Sequence, residues 1–119
     1  MSIDKNYYVI CGYDLTDFKT EKYNDWKWTE QGEEYTNYQR KGKIQLFDDP
    51  MNSAYLYLGY ILAAGDEYSF DTVRFDMTDV SEGCHKVEDE LIKLSKMGIV
   101  KNASIISSKF QIIVFEECT

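Results

Sequence analysis

The sequence has little of several residue types that often reveal a function. Its 119 residues include one histidine, one proline and three cysteines, and no apolar run approaches the roughly 20 residues of a membrane helix. Cys11, Cys84 and Cys118 are odd in number and widely spaced, without the close pair typical of structural zinc. The first residues lack the basic and apolar regions of a secretory signal. We therefore expect reduced thiols in a cytoplasmic protein, with no metal, no cofactor and no membrane span.

Positive charge is also scarce. Lysine and arginine total 13 against 21 acidic residues, so the formal net charge is −8. This balance argues against direct binding of a nucleic-acid backbone. A P-loop, a G-x-G-x-x-G loop, a G-x-S-x-G elbow and an H-E-x-x-H motif are all missing from the sequence. We therefore expect a protein that is not an enzyme.

What is present predicts a packed core. Apolar residues make up 44% of the chain and aromatic residues 15%, which is typical of a globular domain, and the length fits one domain over 1–119. The strongest helix pattern covers 80–97, with Asp79 as its N-cap and Gly98 just beyond its end. Strand patterns cover 7–11, 43–47, 54–62, 72–77, 103–107 and 109–115, with a hairpin turn at 48–53. The prediction is an α+β domain, an antiparallel sheet of about five strands with one principal helix packed on one face.

Residues 14–42 follow no single helix or strand pattern, so we expect a long excursion there. Turn-forming residues alternate there with large aromatics, including Trp26 and Trp28, which we expect to be buried. Three of the predicted strands are apolar on both faces, whereas one helix covers only one face of a sheet. We therefore expect residues 14–42, or another protein chain, to cover the second face.

Carboxylates are concentrated in one stretch. Residues 66–90 contain nine acidic and two basic residues, so they carry −7 of the −8. A field of this kind attracts basic surfaces, including the grooves of nucleic-acid enzymes, although a solvated acidic face that aids solubility is an alternative. The ten tyrosines suit a protein interface, because each ring combines apolar area with a polar tip. The predicted partner-binding residues are Asp66, Glu67, Tyr68, Asp71, Asp76, Asp79, Glu82, Glu88, Asp89 and Glu90.

This combination of small size, acidity, tyrosine content and missing catalytic motifs resembles, in composition alone, the small phage- or prophage-encoded proteins that disable host enzymes. These include anti-CRISPR, anti-restriction and uracil-glycosylase inhibitors. The resemblance implies a DNA-mimicking inhibitor in the host cytoplasm. Its partner would be a host protein with a basic nucleic-acid-binding surface, with a CRISPR effector nuclease as the expected class.

Two other functions stay open from the sequence. One is a homo-oligomeric structural or assembly protein of a phage or mobile element, including a homodimer, because the sheet is predicted to be apolar on both faces. The other is a small enzyme in which Cys11 or Cys118 is a nucleophile and His85 its base.

Overall fold

Four antiparallel strands and one long helix form the framework of the part of the chain that the structure describes. A computed structural model describes residues 5–36, 43–49, 54–66 and 73–118. The strands are β1 (Lys5–Asp14), β2 (Ile44–Asp48), β3 (Leu56–Asp66) and β4 (Gln111–Cys118), and the helices are α1 (Glu21–Trp26), α2 (Glu30–Thr36), α3 (Met77–Lys96) and α4 (Ala103–Ser107). The strand order is β2-β3-β1-β4, antiparallel throughout. The predicted α+β class is confirmed, with four strands among the described residues where about five were expected.

The predicted strand over 72–77 is wrong, because the helix begins earlier than its hydrophobic pattern indicates. Residues 73–76 belong to no strand, and Thr72 lies outside the described residues. The N-cap is Asp76, whose side chain accepts a hydrogen bond from the Asp79 N–H at 3.0 Å, while the Asp79 carboxylate accepts one from the Asp76 N–H at 3.3 Å. This reciprocal capping box starts α3 at Met77 and makes Asp79 its third residue, not the predicted N-cap.

The predicted strand over 103–107 is also wrong. These residues form α4, which follows Asn102 in a left-handed conformation (φ 59°). A single helical turn then buries Ile106 and leaves Ile105 half exposed. The predicted end of α3 is confirmed, since Gly98 has φ +78°, a conformation that favours glycine.

Helix α3 covers one face of the sheet. At Gly83 the helix approaches the strands so closely that an added Cβ would lie 2.6 Å from Cys11 Sγ and 2.8 Å from Tyr60 Cδ1. Beyond Gly83, apolar residues at helical spacing enter the same core cluster as these two strand residues. They are Val87, Leu91 and Leu94.

The described part of the 14–42 segment joins α3 on this same face. Leu15, directly after β1, is fully buried in the core cluster, so the chain leaves the sheet toward the helix side. Tyr23 and Trp26 of α1 are buried in that cluster as well, whereas Trp28 is 74% exposed, contrary to expectation. These residues therefore do not cover the second face, and residues 37–42 lie outside the described part of the chain.

The second face is bent around two glycines. Gly12 and Gly59 are register partners in β1 and β3. An added Cβ at Gly12 would collide with the Leu58 carbonyl, and one at Gly59 would collide with the side chain of Ile10. The register also shifts between Val9 and Ile10, and such bulges increase the local twist of a sheet. Ile10 is consequently fully buried over Gly59, on the face opposite α3.

Candidate functional site

The residues predicted to bind a partner are divided among several places. Asp66 ends β3 and is exposed, whereas Glu67, Tyr68 and Asp71 lie outside the described residues. The remaining six belong to α3 and its N-cap, and they do not all face solvent in one direction. They are Asp76, Asp79, Glu82, Glu88, Asp89 and Glu90.

Some of these α3 carboxylates already have local roles. Asp76 and Asp79 form the capping box, and Glu82 pairs with Lys86 at 3.0 Å, one helical turn away. Glu88 and Asp89 are exposed and follow on successive positions, about 100° apart around the helix. The surface of α3 therefore presents a partly compensated acidic region in which these two residues carry the most available charge.

Glu90 does not belong to that exposed surface. It is only 9% exposed and lies on the buried side of α3, with one carboxylate oxygen 3.5 Å from Lys93 Nζ. Three helix positions separate Glu90 from Val87, so both side chains point toward the sheet. A run of three consecutive acids on a helix thus separates into two solvent-facing residues and one buried residue.

Five aromatic rings of the described residues form a cluster on the sheet face opposite α3, and we call it the aromatic face. It consists of Tyr8, Phe47, Tyr55, Tyr57 and Phe115. Tyr55 and Tyr57 stack with centroids 4.7 Å apart, and Phe115 meets their rings edge-on at 5.5 and 5.1 Å. Phe47 is buried, while the other four rings remain partly accessible. The face therefore combines an apolar base with aromatic surface open to a ligand.

Nearby carboxylates raise the pKa of a tyrosine on the aromatic face. Burial raises the pKa of Tyr55 well above its usual value, and the charges of Glu117, Asp49 and Asp48 raise it further. Glu117 is 5% exposed, and its pKa is also raised, first by burial and then by the charge of Asp49. Asp48 faces the α3 side of the sheet. It accepts a 2.5 Å hydrogen bond from the Tyr23 hydroxyl and forms an ion pair with Lys27 at 3.4 Å. Glu117 and Asp49 thus act most strongly on Tyr55, whereas the pKa of Tyr57 is raised first by burial and then by Asp14, its register partner in β1.

Sequence reasoning did not identify this aromatic and acidic combination. The two-residue spacing of Tyr55 and Tyr57, and of Phe115 and Glu117, indicates pairs on a common strand face. That spacing does not show that β4 and the β2–β3 hairpin meet across the bent sheet. Only the pairing of β1 with both β3 and β4, together with the curvature, places Phe47 against Phe115 at 5.2 Å.

The proposed nucleophile Cys11 lies on the buried side of α3, whereas its proposed base His85 lies on the exposed side. Cys11 is fully buried beneath α3, and burial, with a smaller contribution from Cys84, raises the pKa of its thiol to about 11. His85 is exposed on the outer side of α3, two positions from the Gly83 that faces Cys11. A buried thiol of raised pKa is a weak nucleophile at neutral pH.

Two further observations on the described residues concern metal and ligand sites. Within 5–36, 43–49, 54–66 and 73–118, no group of three or more His, Cys, Asp or Glu residues is arranged to hold a metal ion. An open groove of about 220 Å³ is smaller than a usual ligand site. It is lined by Asp14, Asp17, Phe18, Ile106, Lys109 and Gln111.

Comparison with known proteins gives no relative from which a function could be inferred. No family model, curated protein or solved structure matches the chain. Among the helices of the described residues, none has the length and apolar character required to cross a membrane.

Proposed function

We propose that this protein is a non-catalytic inhibitor that binds a basic site on a nucleic-acid-processing enzyme, with a CRISPR effector nuclease as the leading target. The observation that carries the proposal is the exposed pair Glu88 and Asp89 on α3, in a chain of net charge −8. A partner groove lined with Lys and Arg would gain favourable electrostatic energy from these carboxylates. Such a contact would occupy the position that nucleic-acid phosphates otherwise take.

Salt and charge reversal test the proposal. A panel of purified CRISPR effector nucleases, each with its guide RNA, would be assayed for DNA binding and cleavage with increasing amounts of the protein. Inhibition should compete with DNA and weaken as salt rises, because exposed charges are screened over about 10 Å at 0.1 M salt. The double variant Glu88→Lys/Asp89→Lys should weaken inhibition by about tenfold or more.

The matched control reverses two exposed acids elsewhere. Glu30→Lys/Glu34→Lys changes the net charge by the same amount on α2, away from α3, and should leave most of the inhibition intact. Equal losses in the two double variants would mean that net charge, and not the α3 surface, determines the effect. Unaltered cleavage across the panel, or inhibition that is indifferent to salt, would contradict the proposal.

A second candidate, a homodimer, is favoured by the surface of β4. Within the described sheet β4 pairs only with β1, and it exposes Ile112 (46%) and Val114 (66%) beside that edge. An antiparallel pairing of two copies centred on Ile113 would place each Ile112 opposite Val114 of the second copy, so that the two side chains contact each other. Light scattering at micromolar concentration distinguishes this assembly from a monomer.

A further inference from the structure

Behind the aromatic face lies a buried carboxylate with one oxygen that has no hydrogen-bond partner among the described residues. Glu117 is 5% exposed, and its Oε2 atom has no hydrogen-bond partner among the residues described. Lys5, one residue away in the β1–β4 register, pairs with Glu116 at 3.9 Å. Glu116 and Glu117 are consecutive in a strand and point to opposite faces, so this ion pair does not neutralise Glu117. A buried carboxylate oxygen without a hydrogen-bond partner is expensive, and a position that retains one calls for an explanation outside stability.

Negative charge near Glu117 makes binding of a cation beside it more favourable. Asp49 acts on it with the same sign, and both carboxylates act on the hydroxyl of Tyr55. The Asp49 side chain accepts a 3.1 Å hydrogen bond from the Ala54 N–H, which holds it at the end of the β2–β3 hairpin. Two carboxylates therefore stand close to the aromatic face, at a place with lowered dielectric where electrostatic attraction is strengthened.

The rings suit a planar cation better than a spherical one. Tyr55 and Tyr57 stack on each other at an interplanar angle of 14°, and both residues are partly accessible, so the pair offers a flat outer ring face to a ligand. A guanidinium group is planar, weakly hydrated and able to stack on aromatic rings, whereas an ammonium group is compact and strongly hydrated. Cations over tyrosine and phenylalanine rings are attracted by the ring quadrupole, and more strongly where water is excluded.

We propose that the aromatic face binds an arginine side chain of a protein partner, with the guanidinium on the outer face of the stacked Tyr55–Tyr57 pair and the carboxylates of Glu117 and Asp49 supplying the opposing charge. This inference rests on the proposed function, because it names the side chain by which a basic partner surface would be recognised. It adds a second contact region, since the aromatic face and α3 lie on opposite sides of the sheet.

Binding of a small probe tests the site without the partner. The full-length protein would be titrated with a blocked Gly-Arg-Gly peptide while the aromatic NMR signals of Tyr55, Tyr57 and Phe115 are followed. The arginine peptide should shift these signals in a saturable manner. The same peptide with citrulline, a neutral analogue of arginine, should bind about fivefold or more weakly, and the lysine peptide should also bind more weakly.

Glu117→Gln and Glu116→Gln form a matched pair of variants. Each removes one negative charge from neighbouring positions of β4, but only Glu117 is buried on the aromatic face. Glu117→Gln should weaken binding of the arginine peptide by about fivefold or more and leave the citrulline peptide unaffected, while Glu116→Gln should change neither. The comparison of arginine with citrulline on the unaltered protein does not depend on how any variant folds.

Several results would overturn the inference. These are the absence of a saturable shift, equal binding of arginine and citrulline peptides, equal binding of arginine and lysine peptides, or equal losses in the two glutamine variants. The arginine site and the proposed function can fail independently of each other. Nuclease inhibition without peptide binding would remove only the arginine site, whereas peptide binding without nuclease inhibition would remove only the nuclease proposal.

Discussion

Replacing Gly83 with alanine should destabilise the protein, although glycine-to-alanine changes inside helices usually stabilise. The helix-propensity gain is about 1 kcal/mol. Against it, the new Cβ would lie 2.6 Å from Cys11 Sγ and 2.8 and 2.9 Å from two ring carbons of Tyr60. Both neighbours are buried, at 0% and 4% exposure, so neither can swing into solvent. Overpacking of a core costs about 1–3 kcal/mol, so we expect a net loss of up to about 2 kcal/mol.

Urea unfolding followed by circular dichroism measures this balance. Ser81→Ala, at an exposed position of the same helix, is the control and should be neutral or slightly stabilising. Adding Cys11→Ala removes the sulfur that the new Cβ would meet, so the double variant should show a coupling energy of about 0.5 kcal/mol or more. If Gly83→Ala alone were more stable than the unaltered protein, the close approach of α3 to the sheet would be refuted.

The other predictions concern the two unusual features of the sheet. The pKa of Glu117 is raised in the folded state, so the unfolded carboxyl ionises first, and stability is lost as pH rises above the ordinary value of 4.5. Glu117→Gln should therefore match the unaltered protein below that pH and be more stable at neutral pH by on the order of 1 kcal/mol, measured by thermal unfolding across pH. An unchanged difference at all pH values would contradict the burial of its charge. If β4 mediates a homodimer, Val114→Lys should shift light-scattering mass from dimer to monomer, and an unaffected dimer would exclude this edge.

Local sequence signals predicted the elements whose formation depends on neighbouring residues. The apolar spacing of Val87, Leu91 and Leu94 predicted the buried stripe of α3, and Gly98 predicted its end. The start of α3 was misplaced because alternating Val73 and Phe75 imitate a strand, whereas the reciprocal hydrogen bonds between Asp76 and Asp79 decide the helix start. A helix-capping pattern and an alternating apolar pattern overlap at these residues. The spacing of the residues alone does not show which of the two determines the structure.

By itself, the sequence determined the α+β class, the concentration of negative charge and the central core strands, because these follow from composition and from the periods of two and 3.6 residues. Tertiary structure alone decided that Glu90 is buried while Glu88 and Asp89 are exposed, and that Glu117 lies behind rings from three other strands. Those rings meet because Gly12 and Gly59 permit a close backbone approach and the register shift beside Ile10 adds twist. Charge is a property of the chain, but its burial and its partners depend on contacts between residues far apart in sequence.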